Sequence, residues 1–255
     1  MIERHRPLLW LAGREVLRVL KLWSQTIVAP VIASFLFILV FGLSLGGRIK
    51  QIDGFSYDVF IVPGLITMAM VQAAYTNNAS SVFQARFDRY LHDVLAAPMR
   101  TWEVNLGLSM GGAVRSLAIG VSLLVLSLVV VDVPINEPGV LILAVALALV
   151  LFSSLGVIVG IYAETFDHTS FINNIVILPL TFLGGVFYSV DLLPDPWQQL
   201  SHANPLFYVV NTLRYGFLGT SDVSPWIAFA VVAAMCLALL AWSQWLFTSG
   251  RKLKP

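Results

Sequence analysis

Charge is what this sequence has least of. Only 11% of its 255 residues are Asp, Glu, Lys or Arg, against 58% hydrophobic, and the mean hydropathy is +0.84. A water-soluble domain typically carries about 25% charged residues to cover its surface. Here lipid must solvate much of that surface instead. Cysteine is almost missing too. The single Cys236 excludes an intrachain disulfide and a cysteine metal cluster, and its place in an apolar run reads as a buried structural thiol. A formal net charge of +1 excludes a bulk nucleic-acid binder. No G-x-x-x-x-G-K-[ST] phosphate loop or H-E-x-x-H pair occurs. The G-x-S-x-G matches at Gly42–Gly46 and Gly107–Gly111 fall in long uncharged runs rather than at a strand-to-helix elbow. The chain thus offers neither an ATP-hydrolysing loop nor a recognisable catalytic pattern. No secretory signal peptide is expected, because the first 25 residues hold basic residues throughout and no apolar core ending in small residues.

What is present is a series of long uncharged runs. A charge at bilayer depth costs several kcal/mol, so charge-free intervals mark candidate spans. They run from Ile27 to Leu45, Val59 to Ala85 (apolar part to Ala74), Val104 to Val131, Pro138 to Ala163, Thr169 to Val190 and Pro225 to Ser249. Only Arg115 interrupts the third. Each approaches the ~20 residues a helix needs to cross ~30 Å of hydrocarbon. The expectation is an all-α integral membrane protein of six spans, forming a single domain over residues 1–255. Spans one to five occupy 26–190, an outer segment 191–224, the last span 225–249 and a tail 250–255.

The cations fix an orientation. Arg4, Arg6, Arg14, Arg18, Lys21, Arg86, Arg89, Arg100, Arg251, Lys252 and Lys254 fall on the side of the termini, and Arg48, Lys50 and Arg214 on the other. The positive-inside rule therefore predicts cytoplasmic termini in a multi-pass protein of the cytoplasmic (inner) membrane.

Three connecting segments carry more than a turn. Before the first span, Arg14, Arg18, Lys21 and Gln25 recur at spacings of three and four, and Leu9, Val16, Leu20 and Trp23 occupy another face. That pattern predicts an amphipathic interface helix within residues 1–25, basic side chains toward headgroups, or a positive anchor for the first span. Between the second and third spans, Phe87, Tyr90, Leu91, Val94 and Leu95 fit a short amphipathic helix decorated by Arg86, Asp88, Arg89 and Asp93 and stopped by Pro98. It could receive force from a soluble partner or lie on lipid as a connector. The short acidic loop of Glu164, Asp167 and His168 matches no metal-ligand spacing, so solvent or a partner is its expected neighbour.

The stretch from Phe182 to Pro225 is too apolar for a free loop and too broken by Pro194, Pro196 and Pro205 for a further span. Irregular backbone at membrane depth is tolerated only where protein or a water-filled cavity covers it. Two short helices, Pro196 to Ala203 and Pro205 to Leu218, are predicted to dip into the outer leaflet as a re-entrant hairpin.

This segment resembles the C-terminal signature of the ABC type-2 transporter permeases, a group of drug, Nod-factor and polysaccharide exporters. The matching residues are Pro179, Leu183–Gly184–Gly185, Phe187, Leu193–Pro194, Asn204–Pro205–Leu206 and Arg214. QTIVAPVI in the first span, FIVPGL in the second and ASSVFQARFDRYLHDVLAAPM before the third are also similar to that family. The resemblance implies a permease that moves an amphipathic substrate (a drug-like molecule, lipid or lipid-linked glycan) outward. It implies a separate ABC ATPase subunit holding ATP and Mg, a second copy of this chain as homodimer partner, and no cofactor on this chain. It implies a coupling helix at Phe87 to Ala97 and an interface helix at Leu8 to Trp23.

Candidate site residues follow. Contact with the ATPase partner is expected from Arg86, Phe87, Arg89, Tyr90, Leu91, Val94, Glu164 and Asp167. Arg115, about 16 Å into its span at 1.5 Å per residue, either lines a substrate vestibule, pairs within the bundle, or snorkels to the headgroups. Phe187, Tyr188, Trp197, Phe207 and Tyr208 form either an interfacial aromatic belt or a stacking surface at the exit of a conduit. Gly107, Gly111, Gly112, Ser116 and Gly120, and Gly156 with Gly160, allow close helix packing in lipid. The alternative classes are a membrane-embedded enzyme or a channel working without an ATPase. The channel is disfavoured by the expectation that no span carries several polar positions on one face.

Overall fold

The structure is a computed structural model, and it describes residues 6–46 and 51–253. Arg4, Arg48, Lys50 and Lys254, used in the charge count, lie outside the described residues. The regular structure among the described residues is helical, apart from one isolated bridge between Ile52 and Phe55.

Helix α1 (Arg6–Lys21) passes through a π-helical turn (Ser24–Val28) into α2 (Ala29–Leu45) with no intervening loop. Then come α3 (Tyr57–Phe87), α4 (Leu91–Ala96), α5 (Thr101–Val130) and α6 (Pro138–Tyr162). The chain continues through α7 (Phe166–Phe171), a second π-helical turn (Ile172–Ile177) and α8 (Leu178–Leu183). The last elements are α9 (Asp195–Ala203), α10 (Pro205–Leu218) and α11 (Pro225–Ser249). Proline opens α6, α10 and α11 in the first turn, where its missing N–H costs nothing.

Among the described residues, five helical segments are long and apolar enough to cross a membrane: 24–42, α3, α5, α6 and α11. The interval from Phe166 to Leu183, three six-residue pieces end to end, covers about 27 Å of helix. It begins where α6 ends, with Phe166 against Phe83 near the end of α3. It finishes where α3 starts, with the turn after it over Gly64, where a Cβ would sit 2.5 Å from the Val186 carbonyl oxygen. This interval therefore carries the chain from one end of the bundle to the other. The predicted fifth span ran on to Val190; the helix stops at Leu183 because Gly185 takes a positive φ of 78° and turns the chain back.

Helix α3 is the axis of the bundle, with α5 and α6 pressed against it. A Cβ on Gly156 would meet the Tyr75 carbonyl oxygen at 2.6 Å, and one on Gly160 the Ala79 carbonyl oxygen at 2.7 Å. Gly112 meets Asn78 and Gly120 meets Met70 in the same way. The small-residue periods are thus packing surfaces, as lipid-soluble bundles need. Two apolar cores result. A large one joins α3, α5, α6, α10 and α11. A smaller one gathers Leu11, Ala85, Leu91, Leu108, Ile161 and Leu246 at the α1 end.

Candidate functional site

The α1 end is built around a buried carboxylate. Glu15, on the face of α1 turned to the bundle, is ion-paired to Arg14 at 2.8 Å and Arg18 at 3.2 Å. Ser81 Oγ of α3 donates to it at 2.6 Å. Arg18 also donates to the Asn77 carbonyl at 3.3 Å, and the Arg14 guanidinium lies 4.5 Å from the Tyr90 ring centroid. A buried acid must be paired to be tolerated, so this set pins α1 to α3 and to the start of α4. Burial, ahead of the neighbouring charges, raises the Tyr90 phenol above its usual pKa.

Helix α4 is short because the backbone breaks before it: α3 runs to Phe87, and Arg89 adopts a positive φ of 63°. The surface helix therefore starts four residues later than the Phe87 to Ala97 expected from the pattern. Leu91 is only 1% exposed and sits in the smaller core, so it anchors α4 and is not available to a partner. Tyr90 and Val94 turn toward the groove beside α1. Phe87 is 74% exposed, and Arg89, Glu164 and Asp167 are exposed with it.

Arg86 has a different position from the one expected of a contact residue. It reaches across to the end of α6 and donates to the Gly160 and Ala163 carbonyls at 3.2 and 3.0 Å, satisfying orphan acceptors at that helix terminus. Phe83 stacks on Phe87 at 5.9 Å and meets Phe166 edge-on at 6.2 Å. Arg86 and this ring row bring the α3–α4 connection and the 163–168 turn into one surface. Phe87, Arg89, Glu164 and Asp167 are its outward groups, and Phe166, exposed beside them, was not singled out by the sequence.

At the other end, Arg214 is the centre. It is 0% exposed on α10, paired with Asp222 at 3.6 Å, donating to the Gly185 carbonyl and lying 4.2 Å from the Phe60 ring centroid. Asp222 in turn accepts from Ser189 Oγ at 2.8 Å and Val190 N at 3.0 Å. Asn204 caps α10 through Leu206 N and reaches the Leu180 carbonyl. The predicted helical pair is present as α9 and α10, and this network ties it to the turn after α8.

The aromatic candidates separate here. Phe207 is fully buried against His202 and Tyr208, which removes it from any exit surface. Tyr208 donates to the His202 carbonyl at 2.9 Å, Tyr188 is half-buried, and Trp197 is exposed. Phe187 belongs to a continuous row, Phe37–Phe41–Phe187–Phe182, with centroid spacings of 5.8, 5.0 and 5.6 Å. Three of those four rings lie on helices the sequence pattern gave no reason to join.

Arg115 points to α2. Its Nε donates to the Thr26 carbonyl at 2.9 Å in the π-helical turn, and its side chain lines a cavity of about 210 Å³ with Gln72 and Thr76. The expectation of no polar face on any span fails on α3. Gln72, Thr76, Ser80 and Gln84 recur every fourth residue and are half-buried or exposed, one above another on a helix. Reading charge alone hid this stripe, because none of the four is charged.

Comparison with known proteins agrees with this architecture. A family model described as ABC-2 type transporter matches residues 6–218. The inner membrane transport permease YadH of Escherichia coli K12 is 42% identical over 244 residues, covering 95% of this chain and 94% of its own length. Nodulation protein J of Sinorhizobium fredii is 26% identical over 205 residues, 77% of each chain. Nodulation protein J of Rhizobium leguminosarum bv. viciae is 28% identical over 213 residues, covering 77% of this chain and 78% of its own. By the family match over most of its length, this chain belongs to the ABC-2 type transporter family.

Proposed function

We propose that this chain is the membrane-spanning permease of an ATP-driven exporter, working with a separate ABC ATPase subunit and a second copy of itself to move an amphipathic substrate out across the cytoplasmic membrane. The name of the 42% identical relative, an inner membrane transport permease, supports the transport reading. The observation that carries the ATPase pairing is an exposed surface at the α1 end shared by two connections. There Phe87, Arg89, Glu164 and Asp167 project from two connections that Arg86 locks together. Force applied to that surface passes into α3 through Leu91 and into α1 through the Arg14–Tyr90 contact.

In this reading the α1 end faces the cytoplasm and the α9–α10 pair faces outward. The six passages are α2, α3, α5, α6, Phe166–Leu183 and α11, with α3, about 46 Å long, extending beyond the ~30 Å hydrocarbon toward the partner. Single cysteines on a Cys236→Ala background test the orientation. A cysteine at Asp195 should react with a membrane-impermeant maleimide on intact cells, and one at Asp167 only after lysis. The reverse pattern would overturn the topology and the exporter reading together. A membrane-embedded enzyme or channel would work without the ATPase, so export that persists when that subunit is deleted would favour those alternatives.

A further inference from the structure

The cleft between α2 and α3 has an unusual chemistry for its depth. Phe37, Leu65 and Met68 make its upper walls, while Gln72, Thr76 and Arg115 line its end toward α1. Arg115 spends only Nε on the Thr26 carbonyl. Its two terminal nitrogens have no hydrogen-bond or acidic partner among the described residues and are not sealed from the cleft. The Gln72 amide nitrogen is buried with no partner at all. Buried donors without acceptors are costly, and an uncompensated cation at this depth more so.

The charge nearby does not answer that demand. Arg18 is a like-charged neighbour of Arg115 and keeps its own Nε buried and unbonded. The adjoining groove between α1 and α4, about 1100 Å³, adds Arg14 and Lys21 against only Glu15 and Asp93. Glu15 is already committed to Arg14, Arg18 and Ser81. The polar stripe runs from Gln84, which lines this groove, to Thr76 and Gln72, which line the cleft.

Resting on the exporter reading above, we propose that this cleft selects the cargo by its headgroup: an amphiphile with an anionic head, phosphate or carboxylate. The head is held by the terminal nitrogens of Arg115, with the sealed Gln72 amide turning to face it, and the apolar part lies along Phe37, Leu65 and Met68. Charge-assisted hydrogen bonds to Arg supply the discrimination, and the apolar walls supply headgroup-independent burial.

The test uses the full chain in nanodiscs of zwitterionic lipid and needs no ATPase, so its failure is separate from failure of the exporter reading. Dodecyl phosphate, dodecyltrimethylammonium, a neutral dodecyl glycol ether and inorganic phosphate are titrated, with binding read by thermal shift and by competition with a fluorescent anionic lipid. Dodecyl phosphate should bind at least about tenfold more tightly than the other three. Gln72→Leu, which deletes an unbonded amide, should reduce that preference about tenfold. Arg115→Gln should abolish it, and Arg115→Lys should keep part of it. Equal binding of the three dodecyl compounds, or inorganic phosphate binding as tightly as dodecyl phosphate, would overturn the proposal. If Arg115→Gln does not fold, the headgroup comparison on the unaltered chain and the Gln72→Leu result decide it.

Discussion

The two ends of this bundle each hold a buried ionic network, and they solve the same problem differently. At the α10 end, the Arg214 and Asp222 side chains are both sealed from solvent, and their direct partners are each other, backbone, a hydroxyl and a ring, with the Asp53 carboxyl nearby. At the α1 end, Glu15 is sealed, but its partners Arg14 and Arg18 are partly exposed and reach it from the surface. Solvent-reachable partners can exchange at low cost, whereas a sealed pair cannot separate without stranding a charge. The difference marks the α10 end as a fixed cap and the α1 end as a joint that can shift.

The comparison can be broken at its strongest point first. Arg214→Met strands Asp222 and should cost about 3–5 kcal/mol of stability, read as a large fall in the thermal midpoint in detergent. The double variant Arg214→Met/Asp222→Leu should recover part of that loss; no recovery would mean that the ring and carbonyl contacts, not the pair, hold the cap. Next is the shared axis. Gly156→Val drives a side chain into the Tyr75 carbonyl and should cost about 1–3 kcal/mol by overpacking, whereas Gly139→Ala, with open space around it, should change little. At the joint, Glu15→Gln should cost about 1–3 kcal/mol, less than the cap variant, because Arg14 and Arg18 can turn to water. A loss equal to that of Arg214→Met would erase the distinction between the ends.

The smallest effect concerns pH. Asp53, in the connection from α2 to α3, has its carboxyl pKa raised above 3.8, by burial first and then by Asp222 and Asp191. Its ionised form is therefore the less favourable one in the folded chain, a penalty present above the raised pKa and absent below the unfolded value. Asp53→Asn should stabilise the cap slightly near neutral pH, by no more than about 0.5 kcal/mol after solvent screening. The gain should vanish as pH falls toward 4. Unfolding midpoints of both forms across that range check the sign.

Much of this architecture was legible in the sequence because prolines and charges punctuate it. Pro205 and Pro225 open α10 and α11 where the pattern placed their starts, and Asn204 between α9 and α10 caps as its residue type suggests. What escaped was set by backbone or by third-dimension contacts. The left-handed turn at Arg89 that delays α4 falls on a residue type with no preference for it. Leu91 and Phe207, expected at the surface, are core: α4 has only six residues and little face to spare, and Phe207 packs against His202 and Tyr208. The sequence pattern points to Arg86 as a partner contact, yet its role as a cap for α6 needs the proximity of residues 74 and 77 positions away. The α3 stripe was visible in principle, as four uncharged polar residues at every fourth position.

The most direct test is ATP hydrolysis by the proposed ABC ATPase subunit co-purified with this chain in proteoliposomes, measured for the natural sequence and for Arg89→Glu with Phe87→Ala. Both changed residues are exposed, so the thermal midpoint should stay within about 0.5 kcal/mol equivalent. The account predicts that the natural pair binds and that export of a loaded amphiphile depends on hydrolysis. In the variant the subunit should dissociate, or hydrolyse without export. Export at the natural rate by the variant, or by this chain with no ATPase present, would contradict it.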